Sequence, residues 1–186
     1  GQRVAQDGAT LLPFLEVAQP NRFAAQPIQA NDLKVQAGSG TLRVIEVEDG
    51  QLITLAGEGE ITPTDGCISS DTDADILKMV VLNRYNAAAP AIAFVRNFGL
   101  KQGAIAGSVA HDSHNIIAVG VSDADLAAAI NLVVEAQGGV SLADDDGAAQ
   151  FRHRAGKGPG GAVGDDRRGT VQRRHRLCAD LRQFRD

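Results

Sequence analysis

Five consecutive residues, His111-Asp112-Ser113-His114-Asn115, set two imidazoles, a carboxylate, a hydroxyl and an amide between apolar runs. Imidazole is the side chain that changes charge near neutral pH and the commonest metal ligand. Polar density of this kind at a strand end is where binding and catalytic groups tend to sit. Geometry limits what the five can do. In an extended strand, residues three apart point to opposite faces with Cα atoms roughly 10 Å apart, so His111 and His114 can share one ligand only if the chain makes a helical turn there. Three readings stay open on the residues alone. The Asp, Ser and Asn side chains can satisfy the loop's own backbone donors. The loop can reach a neighbouring domain's active site, binding substrate or closing the pocket. Or it can hold its own metal, although two histidines are fewer than the three protein ligands that catalytic zinc usually takes.

Other constellations carry less. Asp144-Asp145-Asp146-Gly147 lacks the spacing and closing Glu of a calcium loop and reads as a hairpin turn. Gly99, Gly103 and Gly107 recur every fourth residue around a strand pair without the helix that a dinucleotide-binding loop requires. Gly156–Gly161 holds one Lys outside the order of a phosphate loop, and Arg173–Arg176 reads as solvated. Cys67 and Cys178 show no metal-type spacing and read as two reduced cysteines of a cytoplasmic protein.

The elements that must position these groups follow from periodicity. Residues 1–31 read as irregular: a short strand and an Asp7-Gly8 turn, then a linker punctuated by Pro13, Pro20 and Pro27. Thr41–Val47 and Gln51–Leu55, separated by an Asp-Gly turn, predict a hairpin, with Gly57–Gly66 as a loop. Thr72 and Asp75 have capping-box spacing ahead of Ile76, Leu77, Met79, Val80 and Val81, which predicts a helix ending near Tyr85. Ala91–Phe98, Gly103–Ala110 and Ile116–Val121 read as strands. Ser122-Asp123-Ala124-Asp125 opens a second helix through Leu126, Ile130, Val133 and Val134, stopped by Gly138-Gly139, before a last strand at Val140–Ala143. The Gly99–Gln102 connection is too short for a parallel crossover. The expected fold is therefore α+β: a mixed, largely antiparallel sheet with two main helices packed on one face.

Charge divides the chain. Residues 1–150 carry 8 Lys/Arg and 19 Asp/Glu, a net of −11, while residues 151–186 carry 10 and 4, a net of +6. An acidic body argues against nucleic acid as its partner. No apolar run approaches the roughly 20 residues of a membrane-spanning helix. Beyond Gln150 no apolar run of four and no helical stripe remains, which predicts a disordered basic tail.

Asp75–Val81 and the long block Ala93–Gly120, continued by Asp123–Leu126, Ala129–Asn131 and Gly138–Val140, closely resemble the C-terminal domain of bacterial adenine deaminases. Ser108–Asn115 is the most specific element of the likeness. Gly1, Val4, Ala5 and Gly8 are similar to the "G-x-x-V-A-x-x-G" strand that closes the amidohydrolase core of that family. The resemblance implies domains at 1–31 (end of that core and linker), 32–150 (C-terminal domain) and 151–186 (divergent tail). It is lost after residue 150, where the family carries a Leu-Pro-Leu-Pro-type run and a helix. Out-of-frame translation of a GC-rich gene produces such a change; a natural basic tail is the alternative.

The resemblance further implies a cytoplasmic hydrolase of purine metabolism that converts adenine and water to hypoxanthine and ammonia. Divalent metals of the manganese or iron type would be held by an N-terminal barrel whose ligands lie upstream of Gly1. None of those ligands can be carried onto this chain, so no metal is expected in it. Its partners would be that barrel, adenine through the barrel, and a second copy in a homo-oligomer, with no nucleic acid and no membrane. His111, Asp112, Ser113, His114 and Asn115 are the candidates for substrate binding or pocket closure. The His-x-Glu with Pro-Cys-x-x-Cys signature of zinc nucleobase deaminases of the other fold is absent. A stand-alone purine-binding or interaction module, or the remnant of a damaged gene, are the other functional readings.

Overall fold

The computed structural model describes residues 1–12, 22–110 and 113–151. The N-terminal expectation of a strand and turn resolves into a small exposed hairpin, β1 (Ala5–Gln6) and β2 (Ala9–Thr10). Asp7 and Gly8 both take positive φ (50° and 79°), as a two-residue hairpin turn demands.

The body is an eight-stranded sheet. Its strands are β4 (Leu42–Glu46), β5 (Leu55–Gly59), β7 (Ile76–Leu82), β8 (Ala91–Arg96), β9 (Ala104–Gly107), β10 (Ile116–Gly120), β11 (Val140–Asp144) and β12 (Gly147–Phe151). They lie in the order β12-β11-β9-β10-β7-β8-β4-β5, and a short pair, β3 (Val35–Gln36) with β6 (Cys67–Ile68), stands apart. Every neighbour pair is antiparallel except β4 with β8, so the sheet is mixed and largely antiparallel, as expected.

One of the two expected helices is a strand. Thr72–Asp75, read as a helix entry, is a tight turn closed by backbone bonds exchanged between Asp71 and Ile76 (2.8 and 2.9 Å). Asp71 Oδ1 accepts the amides of Asp73 and Ala74, both at 2.9 Å, and the Asp75 carboxylate accepts the Gly99 amide. The Ile76–Leu82 run then enters the sheet between β10 and β8. It misleads because both its faces are covered. Ile76, Lys78, Val80 and Leu82 are buried on one side and Leu77 on the other, so the period-two signal of a half-exposed strand is missing.

The helix that does form, α1 (Asp123–Glu135), starts where the sequence placed it. Ser122 Oγ accepts the Asp125 amide at 3.0 Å, and the Asp125 carboxylate accepts the Ser122 hydroxyl at 2.6 Å. At its other end Gly138 N–H returns to Val133 O and Gln137 N–H to Val134 O, with Gln137 at φ 55°. Leu126, Ala129, Ile130 and Val133 are fully buried against Ala104, Ala106, Ala118 and Ala143 of the sheet. Small sheet residues let the helix approach closely. A Cβ on Gly120 would stand 2.6 Å from Ala104 Cβ and 2.8 Å from Leu126 Cγ.

Three further differences have local causes. The β4–β5 hairpin forms around an Asp49-Gly50 turn, but its second strand lies at 55–59 rather than 51–55. Gly57, read as loop, belongs in the strand because Glu46 lies across it to reach Arg96 Nη1 at 2.7 Å. The described end of the 1–31 stretch, expected as a surface linker, buries Ala25 and Ile28 in the main core beside Leu33. Asn131 makes this possible: its side chain donates to Ile28 O and accepts from Ile28 N–H, each at 2.9 Å, as a neighbouring strand would. Last, β12 continues the sheet across an Asp144–Gly147 turn whose Asp144 Oδ1 accepts the Asp146 amide at 3.0 Å. The basic tail lies outside the described residues.

Lys78 is the one fully buried cation among the described residues, at 1% exposure. Its Nζ donates to Leu33 O at 2.8 Å and to Asp123 Oδ1 at 2.5 Å, joining β7 to the helix N-terminus and to the incoming segment. Ser70 Oγ accepts the Lys78 amide and donates to Gly120 O, both at 2.8 Å.

Candidate functional site

The candidate loop connects β9 to β10, at the end of the sheet where β7 finishes. Its entry is pinned to the turn after α1. Ser108 N–H donates to Gly139 O and Ser108 Oγ accepts the Gly139 amide, both at 3.0 Å. Val109 stands in solvent, and His114 N–H then donates to Ala110 O at 2.8 Å. That bond spans four residues, the reach of one helical turn. His114 itself takes φ 51°, the left-handed conformation uncommon for a residue with a Cβ.

His111 and Asp112 lie outside the described residues. Ser113 and His114 are exposed and Asn115 is half-buried. Asn115 N–H donates to Ser113 Oγ, and Asn115 Oδ1 accepts the Arg84 amide, both at 3.4 Å. Ser113 thus spends its hydroxyl oxygen on the loop's own backbone, and Asn115 its side-chain oxygen on the backbone of the β7–β8 connection. The His114 imidazole meets no hydrogen-bond partner among the described residues.

Arg84 was not singled out from the sequence. Its carbonyl accepts the amides of Ala24 and Ala25 at 2.6 and 3.2 Å while its amide reaches Asn115. The backbone of one residue therefore links the incoming segment to the candidate loop. The signal was present in Asn83-Arg84-Tyr85, but those residues were absorbed into the end of an expected helix.

Among the described residues no three His, Cys, Asp or Glu side chains gather as they would around a metal. A cavity of about 520 Å³ opens at the β4–β5 edge, lined by Gly38, Ser39, Thr41, Glu60 and Ile61 among others. It does not include the candidate loop, and Glu60 is its one ionisable group. Gly103, of the recurring glycines, marks a close backbone approach: a Cβ there would lie 2.6 Å from Ala143 O.

Residues 51–152, from the β4–β5 turn through β12, match the family model of the adenine deaminase C-terminal domain. The chain belongs to the adenine deaminase family. It is 50% identical over 131 residues to an adenine deaminase of Parabacteroides distasonis, covering 70% of this chain and 24% of that protein. The corresponding protein of Salinibacter ruber is 50% identical over 146 residues, covering 77% and 26%. That of Methanosarcina mazei is 39% identical over 156 residues, covering 76% and 28%. The chain thus spans about a quarter of the length of these relatives, and corresponds to their C-terminal part. The candidate loop falls inside the matched region. No helix among the described residues is long and apolar enough to cross a membrane.

Proposed function

We propose that this chain is the C-terminal part of a metal-dependent adenine deaminase, and that the His111–Asn115 loop faces the active site of the whole enzyme. Residues 1–31 would close the upstream core and lead out of it, and 32–150 would form the domain that carries the loop, leaving 151–186 as a divergent tail. The observation that carries the reading is the placement of the family's matched segment. That segment contains the polar loop, and in the fold the loop joins β9 to β10 at one end of the sheet with Ser113 and His114 exposed. A pocket-closing loop needs that combination of a fixed root and free functional groups.

Bound divalent metal in the N-terminal portion would supply an activated water for attack at purine C6. This chain's residues would do the rest of the pocket's work. Ser113 and Asn115 would hold the loop in shape, and His111 and His114 would contact the purine or exclude solvent from it. The reaction would take place in the cytoplasm, within a complete polypeptide in which the N-terminal barrel is this domain's partner.

The test is substitution in a full-length enzyme carrying this domain. His111→Ala and His114→Ala should each lower kcat/KM by about tenfold or more, the scale of one lost transition-state contact of ~1.4 kcal/mol. The circular dichroism spectrum should not change. Kinetics equal to the parent's in both variants would refute the assignment.

A further inference from the structure

Arg84 has a second role available to it, in its side chain. β7 ends at Leu82, and Asn83 Oδ1 then accepts the amides of Tyr85 and Asn86 at 2.8 and 3.2 Å. This turn holds Arg84 and Tyr85 at the same end of the sheet as the candidate loop. The guanidinium carbon lies 4.8 Å from the centre of the Tyr85 ring and 6.0 Å from that of Phe23, and Nη2 donates to Tyr85 Oη at 3.2 Å. Aromatic stacking fixes the plane of the fork.

The fork is not filled. Arg84 Nε is buried and has no hydrogen-bond partner among the described residues. The ion pairs among the described residues join Lys78 to Asp123 and Arg96 to Glu46, and no described carboxylate pairs with Arg84. An unmet donor on a charged group is costly, and a preset fork with one flank already stacked loses little freedom on accepting a ligand.

We propose that Arg84 is a binding site for a carboxylate, received by Nε–H together with a neighbouring Nη–H. Two coplanar oxygens match the fork, and the flat flanks formed by Tyr85 and Phe23 suit a planar group better than a tetrahedral phosphate. The carboxylate has two sources: a side chain of the N-terminal portion, which would make Arg84 an anchor between domains, or a small-molecule acid. The first source rests on the function proposed above; the site itself does not.

The test begins with the 186-residue chain alone, in ¹⁵N NMR with sodium acetate as the probe and sodium chloride at equal ionic strength as the control. The Arg84 Nε–H resonance, assigned by its loss in Arg84→Lys, should shift saturably with acetate and not with chloride. The Tyr85 and Asn115 amides should move with it, a readout that needs no variant. In Arg84→Lys the acetate response of those amides should be lost while the remaining spectrum keeps its dispersion. Inorganic phosphate should act more weakly than acetate. The same titration in a full-length enzyme carrying this domain separates the sources. A response abolished there identifies a side chain of the N-terminal portion, and a response retained identifies a small-molecule acid. Acetate and chloride giving the same shifts in the chain alone would overturn the proposal. That result would leave the loop assignment, tested through His114 kinetics, untouched.

Discussion

Asp123→Ala removes the carboxylate that meets the buried Lys78 ammonium at 2.5 Å and leaves that ammonium only Leu33 O at 2.8 Å. Lys78 is 1% exposed, so water cannot replace the lost partner. Removing one member of a buried pair costs about 3–5 kcal/mol. Asp123 is 25% exposed, which places this pair at the lower end of that range, about 3 kcal/mol. Loss of an acid from the first turn of α1 adds about 0.5 kcal/mol. The opposite substitution should be milder. In Lys78→Met the apolar chain refills the space, Asp123 rehydrates at the surface, and the remaining penalty is the orphaned Leu33 carbonyl, about 1–2 kcal/mol. The double variant should therefore cost about as much as Lys78→Met alone, because the two residues act as one unit. Urea unfolding followed by circular dichroism measures all three, and a difference of roughly 2 kcal/mol between the singles corresponds to about 1 M in midpoint at a slope of ~2 kcal/mol/M. Lys78→Met proving as damaging as Asp123→Ala would refute the reasoning, since the buried charge would then not be what the pair exists to satisfy.

Two other predictions concern the core and the activity. Gly120→Ala should destabilise by about 1–3 kcal/mol, because the new Cβ meets Ala104 Cβ at 2.6 Å and Leu126 Cγ at 2.8 Å; a thermal melt at or above the parent's would show that the helix shifts freely. The 186 residues by themselves should release no ammonia from adenine when supplied with manganese or iron; metal-dependent release by purified protein would show that the catalytic groups lie within them.

What was legible in the sequence tracks how many ways each segment could satisfy itself. α1 was legible because Ser122, the Asp pair of its first turn and the stripe from Leu126 to Val134 all name one structure. The hairpin turn at Asp49-Gly50 was legible for the same reason, although its second strand shifted, since Leu52 and Ile53 look like strand residues and yet stand exposed in the loop. Ile76–Leu82 was not. Thr72 and Asp75 imitate a capping box, and a run buried on both faces has no period to read; only the tertiary placement between β10 and β8 decides it. Lys78 in the middle of that run was the overlooked sign, because its partners, Leu33 and Asp123, are each 45 residues away in sequence. At the site, Ser113 Oγ accepts a backbone amide of its own loop while Asn115 Oδ1 accepts the amide of Arg84, and Arg84 escaped notice because its neighbours Phe23, Ala24 and Asn115 are brought to it by folding.

The register of β7 against β10 separates stability from chemistry. Lys78 pairs with Gly120 and Leu82 with Ile116, so the buried ion pair and the root of the candidate loop stand four rungs apart, about 13 Å along the strands. Between them Val80 and Ala118 are buried. Changes in the loop should therefore leave the Lys78–Asp123 pair intact, and the cost of breaking that pair should not depend on which residue stands at 114. The exception is Arg84. Its backbone joins the incoming 22–29 segment to Asn115, and that segment runs on through Ile28 and Leu33 to the Lys78 ammonium. The segment that enters from upstream is hydrogen-bonded to both ends, at Arg84 O and at the Lys78 ammonium, so a preceding domain that moved it would act on the loop and the ion pair together.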